Sequence, residues 1–226
     1  MRTVLAAPLA MAAVASVVAG LLSAAAPAAA EPVSNCPPAC NRIPATAWIA
    51  PSSIPLDAHY GWPELAGVAV TARSPRFRFE ELCAGPVLGS DPRTFAVAER
   101  ASVSNAGGQW QMQALVLHWR GETWWGGQLA RDAFAAAVTA LRACQQTNAA
   151  ASPSLTVDEP VRMAAAISGP VILHEYLLAD PVNSTITELS LWSAAPPQTP
   201  WPTITDTTVL DALGAPLCLA YIDSCP

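Results

Sequence analysis

Phe95-Ala-Val-Ala-Glu-Arg-Ala-Ser-Val-Ser-Asn-Ala-Gly-Gly-Gln-Trp-Gln-Met-Gln-Ala-Leu-Val-Leu-His118 decides how the rest of the chain is read. Phe95, Val97, Ala101 and Val103 alternate with Ala96, Ala98, Arg100 and Ser102, the period of a half-buried strand. After the turn Asn105-Ala-Gly-Gly108, Trp110, Met112, Ala114, Val116 and His118 alternate with Gln111, Gln113, Leu115 and Leu117 as a second strand. A connection this short cannot make a parallel crossover, so the two strands are expected to form an antiparallel hairpin.

Downstream, the period changes from two to 3.6. After Gly126-Gly127, Ala130, Phe134, Ala137, Val138, Leu141 and Cys144 recur at spacings of three and four, with Arg131, Asp132, Thr139 and Arg142 on the other side. This predicts a helix of about eighteen residues, long enough to lie across a sheet and cover one face. Leu155–Ile167, interrupted by Pro160, reads as two short pieces or an edge strand. Val171–Ala179 and Thr185–Trp192 flank Asp180-Pro-Val-Asn-Ser184, a second hairpin. A proline-rich loop (Pro196, Pro197, Pro200, Pro202) leads to a last helix capped by Thr205 or Asp206, with Val209, Leu210 and Leu213 as its apolar face and Gly214 with Pro216 as its stop. The sum is a single α+β domain, an antiparallel sheet packed by helices and stapled by disulfides.

Working outward to the N-terminus, Met1-Arg2 is a short positive start and Val4–Leu22 an uncharged, mostly apolar run. Pro27-Ala28-Ala29-Ala30 then supplies an A-x-A cleavage site before Glu31. These are the parts of a secretory signal peptide, expected to be cut after Ala30 to give a secreted, extracellular protein with no stable membrane anchor. Residues 31–66 carry Pro32, Pro37, Pro38, Pro44, Pro51, Pro55 and Pro63, too many for a helix or a central strand. They are expected to form an arm wrapping the domain at 67–226, pinned by a Cys36–Cys40 bond and by Trp48 and Trp62.

The chain has 11 basic and 17 acidic residues and no lysine. Loss of Arg2 with the signal moves the formal charge from −6 to −7. That balance leaves no basic patch for nucleic acid or an anionic membrane. Six cysteines in an exported chain read as disulfides, for which 15 complete pairings exist. The preferred set is local at each end, Cys36–Cys40 and Cys218–Cys225, with Cys83–Cys144 spanning the middle. Closing that central loop is worth about 4 kcal/mol in the chain-entropy model. The spacing Cys36-Pro-Pro-Ala-Cys40 has no matching knuckle and the three histidines are scattered, so no metal is expected.

The catalytic motifs tested fail on their own chemistry. Ser90 and Ser168 have a glycine on only one side, so there is no nucleophile elbow. His174-Glu175 begins like a zinc-protease helix, but the fifth position is Leu178 and the segment alternates like a strand. Glu80-Glu81 and Asp158-Glu159 are adjacent along one chain, which does not set two carboxyls across a glycosidic bond. No cofactor or catalytic residue is assigned.

Eight tryptophans are an unusual load, and Trp110, Trp119, Trp124 and Trp125 cluster beside Gly121, Gly126 and Gly127. Two readings stand. The rings fill the sheet–helix core, or some line a cleft for an apolar or sugar ligand. On the second reading His118, Trp119, Trp124 and Trp125 are the candidate ligand-binding residues.

The order of pieces carries a resemblance. Cys83 comes first, then the strand pair with Trp110-Gln-Met-Gln-Ala-Leu-Val-Leu117. Next is a helix ending Ala133-Phe-Ala-Ala-Ala-Val-Thr-Ala-Leu-Arg-Ala-Cys144, then further strands and a final helix with Cys218. This pattern, over roughly residues 65–218, resembles the extracellular sensor domain of the mycobacterial PknH-like kinases and the exported proteins that share it, and an actinobacterial source fits the composition. The resemblance implies a disulfide-tied α+β domain with a cleft that binds a ligand and does no catalysis. Unlike the kinase members, the chain is expected to carry no kinase domain. Its expected partners are therefore a small apolar or cell-wall-derived ligand, or a protein of the envelope that makes contact through the proline-rich arm and residues 194–203; a secreted hydrolase is the remote alternative.

Overall fold

The computed structural model describes residues 40–85 and 91–221. The expected signal peptide, Cys36 and Cys225 lie outside the described residues. Seven strands form one antiparallel sheet in the order β1-β2-β3-β7-β6-β5-β4: β1 Val70–Thr71, β2 Val97–Val103, β3 Gln111–His118, β4 Ser152–Asp158, β5 Arg162–Ser168, β6 Val171–Asp180 and β7 Thr185–Ala194. Two short turns of helix, α1 (Asp57–Tyr60) and α2 (Leu65–Val68), lie in the N-terminal segment. They are followed by α3 (Arg78–Leu82), the long α4 (Thr123–Arg142), α5 (Cys144–Thr147) and the C-terminal α6 (Asp206–Ala220).

The predicted first hairpin is β2–β3, in register from Val97 opposite His118 to Val103 opposite Met112. The second is β6–β7, from Asp180 opposite Thr185 to Val171 opposite Ala194. The Pro160 break falls between β4 and β5, which pair with each other, and β4 is the outer strand. Phe95 does not join the first strand. It ends a 3-10 turn, Pro92–Phe95, and its ring is exposed.

Chain order explains α4. The chain leaves β3, the third strand of the sheet, and next enters β4, the seventh. The intervening segment must therefore cross four strand spacings, about 19 Å. A 20-residue helix is about 30 Å long, enough to make that crossing. The helix starts before the glycine pair, at Thr123, because Gly126 and Gly127 are contact points within it. A methyl group at Gly127 would lie 2.3 Å from the Pro181 carbonyl oxygen, and one at Gly126 would lie 2.5 Å from Ser184 Oγ. Ser184, in the β6–β7 turn, also donates from its hydroxyl to the Thr123 carbonyl (3.1 Å).

Both faces of the sheet are covered, so the central strands are buried on both sides. On one face Leu115, Leu117, Leu173, Leu177 and Ile186 pack under α4 with Phe77 and Phe79. On the other, Met112, Val116, Leu189 and Leu191 pack under α6 and the N-terminal segment, which contributes Ile43, Trp48, Ile49, Ile54 and Trp62. Gly214 and Pro216 do not stop α6, which runs on to Ala220 because Leu217 and Ala220 continue its buried face. Its N-cap is Thr205, whose Oγ1 accepts from the Thr208 N–H. The Cys83–Cys144 disulfide is present, and Cys40 and Cys218 are both disulfide-bonded.

The proline-rich loop is held by a stack of rings. Trp201 lies parallel to His174 at 3.6 Å and tilted against Trp110 at 5.0 Å. Burial lowers the His174 pKa to about 4, against a small opposing pull from Asp206.

Two outcomes follow from these contacts. Alanine in place of glycine normally stabilises an exposed helix by about 1 kcal/mol. Gly127→Ala is expected to reverse that sign, losing about 1 to 2 kcal/mol net as the helix is pushed off Pro181, measured by urea denaturation. His174 stays neutral in the fold while the unfolded imidazole takes up a proton near 6.5. The stack's contribution is therefore complete above that value and is lost as pH falls toward about 4, which Trp fluorescence during acid titration would follow.

Candidate functional site

The four residues singled out in the sequence do not meet at one place. His118 and Trp119 are consecutive and point to opposite faces of the sheet. His118 is fully buried on the α6 side, stacked on Tyr221 at 4.4 Å, with Nδ1 3.2 Å from Thr185 Oγ1. Trp119 is buried on the α4 side and donates from Nε1 to the Pro92 carbonyl (3.0 Å). Trp124 and Trp125 are 71 % and 55 % exposed on the first turn of α4, their rings edge to face at 5.7 Å. They can share the first turn and both face water because consecutive helical residues point about 100° apart.

A concave site does exist, along the flank of α4. A mostly apolar groove of about 700 Å3 runs between this helix and residues 79–85 and 91–93. Its helix wall includes Ala133, Ala136 and Ala140, and its opposite wall Phe79, Cys83 and Pro92. Ala136 is exposed and Ala140 only partly buried, at the margin of the core where a helix usually carries long charged side chains. Alanines there leave the groove its depth. By helical spacing Leu129 and Trp125 continue the same face, at four and eleven residues before Ala133 and Ala136, so the exposed indole stands beyond the groove's N-terminal end.

The width of the groove is fixed by cross-links at its far end. The disulfide joins the residue after α3 to the first residue of α5. Beside it Thr147 Oγ1 donates to the Cys83 carbonyl (2.5 Å), and Asn148 Nδ2 to the Leu82 carbonyl (2.8 Å).

Asp132 and Thr139 also line the helix side of the groove, and across from them stands a polar cluster that is internally satisfied. The Arg93 guanidinium donates from Nη1 and Nη2 to the two oxygens of Glu80 (2.8 and 2.9 Å). It also donates from Nε and Nη2 to Asp91 (2.9 and 2.6 Å), and it lies 4.7 Å above the Phe77 ring. Burial pushes the Asp91 carboxyl up, but hydrogen bonds and charge from Arg93, with help from Arg76, outweigh it and hold the group below its usual value. Burial likewise opposes charge on Arg93, while Asp91 and Glu80 hold it protonated. With both carboxylates already engaged in pairs, the cluster shapes the groove's edge and offers a ligand little unpaired charge.

Among the described residues no group of three or more His, Cys, Asp or Glu side chains could hold a metal, and no helix is long and apolar enough to cross a membrane. The groove was partly visible in sequence as the run Ala135-Ala-Ala-Val-Thr-Ala140, whose outward positions lack charge. Nothing local in the sequence ties Arg93 to Glu80.

Removing Arg93 leaves the Glu80 and Asp91 carboxylates with only the more distant Arg76 as a countercharge. Arg93→Met is expected to destabilise the fold by about 2 kcal/mol, less than a fully buried pair because Glu80 and Asp91 keep some contact with water. An unchanged urea midpoint would mean that the cluster is not what holds this edge. No protein-family model, curated protein or solved structure matches the chain.

Proposed function

We propose that this chain is a secreted, non-enzymatic binding protein of the cell envelope or extracellular space that holds an apolar ligand in the α4 groove. The observation that carries the reading is the groove itself: about 700 Å3, mostly apolar with a run of alanines along one wall, and tied in place by a disulfide. That volume lies within the range of small-molecule sites, which are mostly apolar and largely pre-formed. The resemblance to the PknH-like sensor domains supports the same reading, since it implies a disulfide-tied α+β domain with a cleft. The N-terminal signal sequence and an expected three disulfides suit an oxidising compartment.

A second reading is favoured by a separate observation. Trp124, Trp125 and Phe95 are exposed, and large exposed rings are common anchors in protein interfaces. On this reading the chain is an interaction protein of the envelope, and its partner takes these rings.

The two are separated by a neutral apolar fluorophore, Nile red, titrated into the oxidised protein. The groove reading expects saturable binding that Ala136→Trp weakens at least tenfold, about 1.4 kcal/mol, while Trp124→Ala leaves it within twofold. Binding that ignores Ala136→Trp and disappears with Trp124→Ala would move the site to the exposed rings.

A further inference from the structure

Two carboxyl side chains lie on the α4 face of the sheet with no access to water, Glu175 in β6 and Glu188 in β7. Glu175 is opposite Ser190, and Glu188 is opposite Leu177, one step along the same face. Such diagonal neighbours are within reach of long side chains. Ser190 Oγ donates to Glu175 Oε2 (2.6 Å), and Gln113 Nε2 donates to Glu188 Oε2 (3.1 Å). The backbone N–H of Arg78, the first residue of α3, donates to Glu188 Oε1. Glu175 Oε1 is buried, and among the described residues none donates an N–H or hydroxyl to it.

A buried carboxylate with a bare oxygen beside a second carboxylate is costly, by several kcal/mol. A proton on Glu175 Oε1, donated to Glu188, removes the repulsion and satisfies the bare oxygen. The surroundings decide which member keeps it. Glu80 adds negative potential at Glu175, whereas Arg100 and the Arg78 N–H favour charge on Glu188. The Arg78 guanidinium itself lies over Trp192, and those of Arg76 and Arg93 are engaged with Glu80. Above the sheet α4 presents only apolar groups to the core, among them Ala133, Phe134, Ala137 and Leu141. Burial, then the charge of Glu188, holds the Glu175 carboxyl well above the ordinary carboxyl range.

The position of the pair gives it a lever. The C-terminal end of α3 is cross-linked through Cys83, whereas the end at Arg78 rests its backbone N–H on Glu188 and is held without a covalent bond. We infer that Glu175 and Glu188 form a proton-operated latch on the groove, in which the shared proton holds the N-terminal end of α3 and its loss puts two like charges beneath the wall that carries Phe79 and Cys83. This rests on the groove being the binding site. The sign is set by the direction of the shift. The folded state keeps a proton that an unfolded glutamate releases near 4.3, so the latch is fully closed in acid and opens as pH rises through the folded Glu175 value.

The test compares the wild type with E175Q, whose amide can donate to Glu188 but cannot ionise. Nile red affinity and amide exchange of the α3 peptide, corrected for intrinsic rates, are measured from about pH 5 to about pH 9. The latch predicts at least a tenfold loss of affinity and a matching rise in α3 exchange in the wild type, with both flat in E175Q. Equal pH profiles in the two proteins would overturn it. If Nile red does not bind at any pH, the groove reading fails, and α3 exchange alone still decides the latch. If E175Q does not fold, E188Q takes its place, and the latch then predicts that the transition moves to lower pH; an unmoved transition overturns it.

Discussion

Everything in the described fold depends on how α4 is held against the sheet. Its N-terminal end meets the β6–β7 turn through two glycines, Gly127 against the Pro181 backbone and Gly126 against the Ser184 side chain, and a methyl group at Gly127 would lie 2.3 Å from the Pro181 carbonyl oxygen. Just past its last turn, Cys144 is bonded to Cys83. Held at both ends, the helix cannot sink onto the loop beside it or ride away from it. The groove along its flank is the space that remains, and its dimensions are set by those two attachments.

The same constraint explains why a small loop segment is so densely tied. Residues 79–85 and 91–93 form the opposite wall of the groove. They are secured by the disulfide, by the bonds of Thr147 and Asn148 to Cys83 and Leu82, by Arg93 bridging Glu80 and Asp91, and by Glu188 under the Arg78 N–H. Three of these attachments are indifferent to pH near neutrality. The carboxyl pair is the one whose strength depends on a proton.

How much of this could be read from the sequence depended on whether the signal was local. The hairpins and the long helix announced themselves through periods of 2 and 3.6, and β2, β3, β6 and β7 lie within a few residues of where those periods placed them. The end of α6 was misread because Pro216 is a strong local signal, outweighed here by burial of Leu217 and Ala220. The candidate site was far less legible. Clustering along the chain put His118 and Trp119 with Trp124 and Trp125, yet strand alternation sends the first two to opposite faces and the helix carries the others to the surface. Glu175 did leave a trace: it shares its parity with Leu173 and Leu177, so a strand buried on both faces must bury it. That β6 would be so covered, and that Glu188 would be its neighbour, follows only from the sheet order.

The claim most in need of a direct test is that the α4 groove is where an apolar ligand sits. Backbone amide NMR of the oxidised protein, titrated with a long-chain aliphatic alcohol, places the contact residue by residue. The account predicts shifts concentrated at Ala133, Ala136 and Ala140 on the helix, and at Phe79, Cys83 and Arg93 across from it. Shifts confined to Phe95, Trp124 and Trp125, or no shifts at all, would contradict it.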